Sequence, residues 1–240
     1  VAGTPAVDLS NLTFTVSNAQ NAFDTGVDVI TITGDGANNE ITGTSIADTI
    51  TAGAGNDTIV TGTGADVINF TGVGTNGQDT ITDFIVGTDT LGLVAADTAA
   101  GTAGGANAVV EDEAAPAANN NGTAYDLTAV LAANTNAVDL VTLDTAVLTN
   151  LANANLANAT DGTELLKALV ALGDGNAAST IRVDNTNDKF YIAVDDGTNG
   201  YLYLADSDTN QFVAFGEITL VGTFNSALID GVVAAQTVMI

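Results

Sequence analysis

"GDGANNEITGTSIADTITAGAGNDTIVTGTGADVIN", Gly34 to Asn69, divides into four nonapeptides: GDGANNEIT, GTSIADTIT, AGAGNDTIV and TGTGADVIN. The sixth position reads Asn39, Asp48, Asp57, Asp66; the eighth reads Ile41, Ile50, Ile59, Ile68, and Ile32 extends that series one unit backwards. Each unit is a small, glycine-bearing turn followed by x-Ile-x, in which the branched side chain points one way and its neighbours the other. A turn plus a short strand is half a coil, so two units make one coil. Strands around Ile32, Ile50 and Ile68 are expected to stack as one sheet and those around Ile41 and Ile59 as the opposing sheet, with the isoleucines meeting inside.

That stacking puts sixth-position residues from alternate units at one edge, Asn39 above Asp57 and Asp48 above Asp66. Stacked carboxylates repel. A Ca²⁺ between them, completed by backbone carbonyls that glycine turns leave exposed, converts the repulsion into a cross-link. The competing reading is a metal-free solenoid whose Asn and Asp merely form Asx-turns. Calcium is preferred because such a solenoid has no need for acids stacked edge to edge.

At these residues the chain resembles the RTX family, whose repeats G-G-x-G-x-D-x-U-x build calcium-filled parallel β-rolls in proteins exported by type I secretion. Gly53, Gly55, Asp57 and Ile59 match the second, fourth, sixth and eighth positions, as do Gly62, Gly64, Asp66 and Ile68. The first two units depart from it, with Asn39 in place of the acid and Ser45 and Ile46 near where glycine is wanted. The resemblance implies Ca²⁺ as the bound ion and an extracellular or cell-surface location. "DTITDFIVGTDTLGL", Asp79 to Leu93, is similar to the closing segment that follows such repeats. Ile81, Phe84, Leu91 and Leu93 are expected to cap the open end of the roll, while Asp79, Asp83 and Asp89 either hold another ion or form turns.

Composition agrees with oxygen-only chemistry. The 240 residues are 46% hydrophobic, enough for a real core, and carry 29 acidic against 3 basic residues, a formal net charge of −26. Such a surface repels nucleic acid and anionic lipid and attracts cations. With no cysteine and no histidine, disulfides, thiolate sites, thiol nucleophiles and the commonest general base are excluded. Oxygen ligands remain, and they suit hard ions such as calcium. No basic n-region leads into an apolar segment, and no apolar run is long enough to span a bilayer. The chain starts at Val1 rather than Met, which fits a processed product or the end of a longer protein.

Outside the repeats the signals are local. "NLTFTVS" alternates Leu12, Phe14 and Val16 and predicts a strand that caps the first coil or pairs with a neighbouring subunit. Residues 96–122, rich in Ala, Gly and Asn with "EDE" before Pro116, read as a solvated connector. "DGTELLKALVALG" predicts a helix capped by Asp161 and stopped by Gly173, and a second helix is expected over about 144–156. Acidic residues Asp184, Asp195, Asp206 and Glu217 fall eleven apart between "KFYIAV", "YLYLA" and "QFVAFGEITLVG", which predicts a β-meander with acidic hairpin tips. Asp206, Asp208, Asn210 and Glu217 have EF-hand spacing, but Gln211 replaces the turn glycine and strands flank it, so an acidic hairpin is expected.

The expected fold is therefore mainly β: a short parallel β-roll, a small helical segment and a C-terminal antiparallel meander, with units at 1–95, 96–122 and 123–240. The candidate metal ligands are Asn39, Asp48, Gly53, Gly55, Asp57, Gly62, Gly64, Asp66, Asp79, Asp83 and Asp89. With no nucleophile elbow, zinc motif or phosphate-cradling loop, the chain is read as non-enzymatic. The expected function is a calcium-dependent extracellular structural protein that assembles with its own copies into a surface layer, matrix or filament. Expected partners are calcium and cell-surface polysaccharide, not nucleic acid or the membrane interior. The alternative is the RTX and export portion of a larger enzyme or adhesin. A third reading, ligand binding by threonine rows, rests on Thr31 and Thr33 beside Thr49 and Thr51, but the next strand offers Val67 and Asn69.

Overall fold

A computed structural model describes residues 6–8, 29–70, 76–93, 108–112, 125–126, 138–143, 156, 162–166, 181–182, 189–196, 198–206, 212–213, 216–225 and 237–239. Its strands, in chain order, are β1 (Ala6–Asp8), β2 (Ile30–Thr33), β3 (Glu40–Thr44), β4 (Asp48–Thr51), β5 (Thr58–Gly62), β6 (Val67–Phe70), β7 (Asp79–Ile81) and β8 (Thr90–Leu93). They continue as β9 (Ala108–Asp112), β10 (Tyr125–Asp126), β11 (Val138–Leu143), β12 (Ile181–Arg182), β13 (Lys189–Asp195), β14 (Gly200–Asp206), β15 (Phe212–Val213), β16 (Ile218–Phe224) and β17 (Thr237–Met239). Among the described residues no helix is long and apolar enough to cross a membrane.

The repeats form a parallel roll in the expected register. Ile32 pairs with Ile50 and Ile50 with Ile68 in one sheet, while Ile41 pairs with Ile59 in the other. All five side chains are buried. Outward neighbours such as Thr31, Glu40 and Thr58 are exposed, so the x-Ile-x alternation decides which atoms leave water. Each isoleucine so buried contributes roughly 1.5–3 kcal/mol. The outer threonine rows pair as expected, Thr31 with Thr49 and Thr33 with Thr51, but the amide of Asn69 donates to the Thr51 hydroxyl at 3.0 Å and ends the row.

The roll runs further than the four nonapeptides. β7 pairs in parallel with β5, placing Ile81 beside Ile59, and β8 pairs with β6, placing Leu91 beside Ile68. Ile81 and Leu91, expected as caps, are thus inward residues of two further half-coils. The ends of both sheets are covered instead from the C-terminal third: β16 pairs in parallel with β7, and β17 with β8. A sheet edge presents unpaired N–H and C=O groups, and a strand supplies what side chains alone cannot. Phe84 does pack at this end, its ring centroid 5.3 Å from Phe224, which also meets Phe70 at 6.3 Å.

The meander is present: β13 and β14 are antiparallel, as are β14 and β16. It continues the roll's sheet, giving nine strands in the order β1-β3-β5-β7-β16-β14-β13-β11-β9, opposite a five-stranded sheet β17-β8-β6-β4-β2. One apolar core joins the roll isoleucines to Tyr191, Leu202, Val221 and Phe224. The nine-stranded sheet takes strands from each of the spans 1–95, 96–122 and 123–240.

Several local expectations change. Ala108–Asp112, within the stretch read as connector, is the edge strand β9, paired with β11; its Val109-Val110 pair is the apolar content that the surrounding Ala, Gly and Asn obscure. "QFVAF" is not continuous with β16, since Phe212–Val213 joins β12 in a separate three-stranded sheet. Helix is described only at 163–166, where Leu165 and Leu166 are buried, and Leu156 lies in a 3₁₀ turn. The rest of both expected helices, and "NLTFTVS", lie outside the described residues. At the start of the roll it is Ala6–Asp8 that pairs with β3. Asp206 and Glu217 lie where β14 meets β16, with the Asp206 N–H donating to the Glu217 carbonyl at 2.8 Å. Strands, not helices, flank them.

Candidate metal centre

Coil stacking lines the sixth-position side chains into two columns. In the first, the Asn39 N–H donates to Asp57 Oδ1 at 2.6 Å, and the Asp57 N–H donates to Asp79 Oδ1 at 3.1 Å. In the second, the Asp48 N–H donates to Asp66 Oδ1 at 2.8 Å, and the Asp66 N–H donates to Asp89 Oδ1 at 3.1 Å. The lower rungs are separated by 18 residues and the upper by 22 and 23. Asp79 and Asp89 therefore belong to the same columns as the repeats, although 22 and 23 residues separate them from Asp57 and Asp66.

Glycine makes the stacking possible. Gly53 and Gly62 have φ of 100° and 97°, and a Cβ on either would collide with the carbonyl oxygen of Asp35 or Thr44 in the coil below. The second-position glycines thus hold one coil's main chain directly over the next coil's carbonyl. Gly55 and Gly64 do the same at the fourth position, over Ala37 and Ile46.

The columns are buried and acidic. Asp48, Asp57, Asp66, Asp79 and Asp89 are all buried, and residues 29–93 contain no Lys, Arg or His. Burial pushes Asp48, Asp57 and Asp89 above the usual carboxylate range. It pushes Asp66 up to about 7, helped by the charges of Asp89, Asp48 and Asp83, and Asp79 up to about 8, helped by Asp57. Asp35, at the exposed turn, is held below that range by the Ala37 N–H and the Asn39 amide.

Within the columns, Asp57 Oδ2 and Asp66 Oδ2 are buried without a hydrogen bond. A buried, unpaired carboxylate oxygen is costly unless a proton or a cation meets it. Among the described residues no three acidic side chains converge on one point. An ion here would take carboxylates from two coils and complete its shell with main-chain carbonyls or water, the oxygen-rich, adaptable coordination that Ca²⁺ accepts and Zn²⁺ does not need. The donor set thus fits a hard divalent cation.

Asp83, the remaining candidate, stands outside both columns. It accepts from the Thr61 N–H at 2.7 Å, the Thr61 hydroxyl at 3.0 Å and the Gly62 N–H at 2.8 Å, fastening the turn of the preceding coil. Sequence reasoning missed three groups. Asp35 and Thr44 hydrogen-bond the sixth-position residue of their own units. An amide ladder runs outside the columns, Asn38 Oδ1 accepting from the Asn56 N–H and Asn56 Oδ1 from the Gln78 N–H. Its signal was visible, since Asn38 and Asn56 share the fifth position of alternate units.

Residues 33–68 match the family model described as "RTX calcium-binding nonapeptide repeat (4 copies)". No curated protein and no solved structure matches the chain. With the nonapeptide register, the paired isoleucines and the carboxylate columns all in place, residues 33–68 carry the RTX calcium-binding nonapeptide repeat.

Proposed function

We propose that this chain is a calcium-dependent extracellular structural protein that, after type I secretion, assembles with its own copies into a surface layer, matrix or filament. The observation that carries the calcium part is the pair of buried, unpartnered oxygens on Asp57 and Asp66 in a roll without a basic residue. Such a roll is self-repelling without a cation. In a calcium-poor cytosol the chain stays loose enough to thread a secretion channel, and outside the cell ion binding adds folding free energy, as any ligand of the native state does. Even three ions would bring only six positive charges against −26, leaving about −20, so the ions act by local cross-linking rather than by general neutralisation. The assembly part rests on composition and surface: the sequence carries no nucleophile elbow, zinc motif or phosphate-cradling loop, and the described surface includes the outward polar rows of the roll. Copies of the chain, and polysaccharide at the cell surface, are the partners it would meet.

The test is electron microscopy and light scattering of the purified protein in calcium and after chelation. Polymers that dissolve on chelation support the reading, and polymers indifferent to chelator refute it. The mass of the native material, compared with that of 240 residues, separates a self-sufficient structural protein from an RTX export module of a larger enzyme or adhesin.

A further inference from the structure

The second position of each nonapeptide decides whether the sixth needs an ion. In the first unit Asp35 occupies it: the Asp35 N–H donates to Asn39 Oδ1 at 3.0 Å, and the Asn39 amide donates back to Asp35 Oδ1 at 3.2 Å. In the second unit Thr44 occupies it, its N–H donating to Asp48 Oδ2 at 2.7 Å and its hydroxyl lying 3.1 and 3.0 Å from Oδ1 and Oδ2. These two turns close on themselves. In the third and fourth units the second position is Gly53 and Gly62, which offer no side chain, and there the orphaned oxygens of Asp57 and Asp66 appear. Both of these side chains are 1% exposed, so water does not solvate them.

The neighbours of the orphaned oxygens lie upward, beyond the segment that matches the family. Asp79 Oδ1 accepts from the Asp57 N–H at 3.1 Å, and Asp89 Oδ1 from the Asp66 N–H at 3.1 Å, so each of these carboxyl groups stands on the coil above an orphaned one. Downward, Asn39 is uncharged and Asp48 is already engaged by Thr44.

We infer that the roll holds its divalent cations at two seats, Asp57 with Asp79 and Asp66 with Asp89, and that Asn39 and Asp48 are ion-independent turn locks rather than ligands. The seats span the two coils of irregular length, whereas the two repeats nearest the N-terminal end close without metal. This inference rests on the calcium reading above. It adds where the ions sit and that Thr44 and Asp35 do an ion's work with side-chain hydrogen bonds.

The experiment counts calcium bound per chain at saturation, by equilibrium dialysis, on the full chain and on Asp79→Asn, Asp89→Asn and Asp48→Asn. Asparagine keeps an oxygen to accept the N–H that each aspartate holds. The count should fall by one in Asp79→Asn and by one in Asp89→Asn, and stay unchanged in Asp48→Asn. Thr44→Gly, which takes the hydroxyl away from both Asp48 oxygens, should raise it by one. Unchanged counts in both upper variants, or a loss in Asp48→Asn, would overturn the inference. Independently of variant folding, anomalous scattering from a lanthanide-loaded crystal of the unaltered chain should peak between residues 57 and 79 and between 66 and 89; peaks confined to the coils of Asn39 and Asp48 would overturn it too. An unaltered chain that binds no calcium at all defeats the functional reading instead, which keeps the two failures distinct.

Discussion

In the presence of chelator, acid should stabilise the roll; in calcium, acid should weaken it. Burial, with neighbouring carboxylates, raises Asp66 to about 7 and Asp79 to about 8, against about 4 in an unfolded chain. A raised native value means that the folded state holds a proton the unfolded chain has released. The resulting stabilisation is full below about pH 4 and is lost as pH rises through about 7 for Asp66 and about 8 for Asp79. Both side chains are buried, at 1% and 3% exposure, so bulk water does not screen the effect. Within the window each held proton gives a slope of about 1.4 kcal/mol per pH unit. Two together give about 2.7 kcal/mol per unit, a large share of the roughly 5–15 kcal/mol by which a domain is stable. Calcium reverses the sign because it binds the ionised carboxylates and competes with the protons. Urea denaturation followed by circular dichroism, in chelator and in millimolar calcium between about pH 5 and about pH 8, reads both slopes. The urea midpoint should fall with pH in chelator and rise with pH in calcium. A chelated protein whose midpoint rises across the window would refute the claim that these carboxylates are buried without a cation of their own.

Gly62→Ala and Gly216→Ala form a matched pair: both glycines have positive φ, at 97° and 89°, but only at Gly62 does the new Cβ meet a carbonyl, that of Thr44. Gly216→Ala should cost about 1 kcal/mol from backbone conformation alone, and Gly62→Ala clearly more by the same urea measurement; equal losses would contradict the close coil contact. Ile59→Ala, at a fully buried rung paired with both Ile41 and Ile81, should cost about 2–5 kcal/mol in calcium-saturated protein. Phe224→Ala removes the ring between Phe70 and Phe84 and should cost about 3–5 kcal/mol. Because the core is shared, the tyrosine near-ultraviolet signal, which comes from outside the roll, and the far-ultraviolet signal should shift together, whereas separate transitions would show that roll and meander fold independently.

The roll was legible because its information is local and repeated. A nine-residue beat of isoleucine fixes which side chains face inward, and the spacing of Asn39, Asp48, Asp57 and Asp66 fixes which edge is acidic, since a strand alternates faces and a coil returns to its start after two units. The two upper units were harder to read. Gly77-x-Asp79-x-Ile81 and Gly87-x-Asp89-x-Leu91 keep the inner spacing of the repeat, but the residues inserted before them break the nine-residue count. Backbone pairing of β7 with β5 and of β8 with β6 keeps both units in the columns despite those insertions. The connector offered composition alone, which does not identify a partner strand.

By itself, then, the sequence determined the coil, its inward isoleucines, its acidic edge and the antiparallel meander, all set by residues within one or two units of each other. Only the tertiary structure decided that β16 and β17 close the roll, that its core continues into the meander, and that within the columns Asp57 and Asp66 keep an oxygen without a hydrogen bond. Those outcomes depend on contacts between residues far apart in the chain and on whether a neighbouring side chain, Asp35 or Thr44, reaches an oxygen first. Periodicity fixes direction, while hydrogen-bond satisfaction is settled only when the coils are stacked.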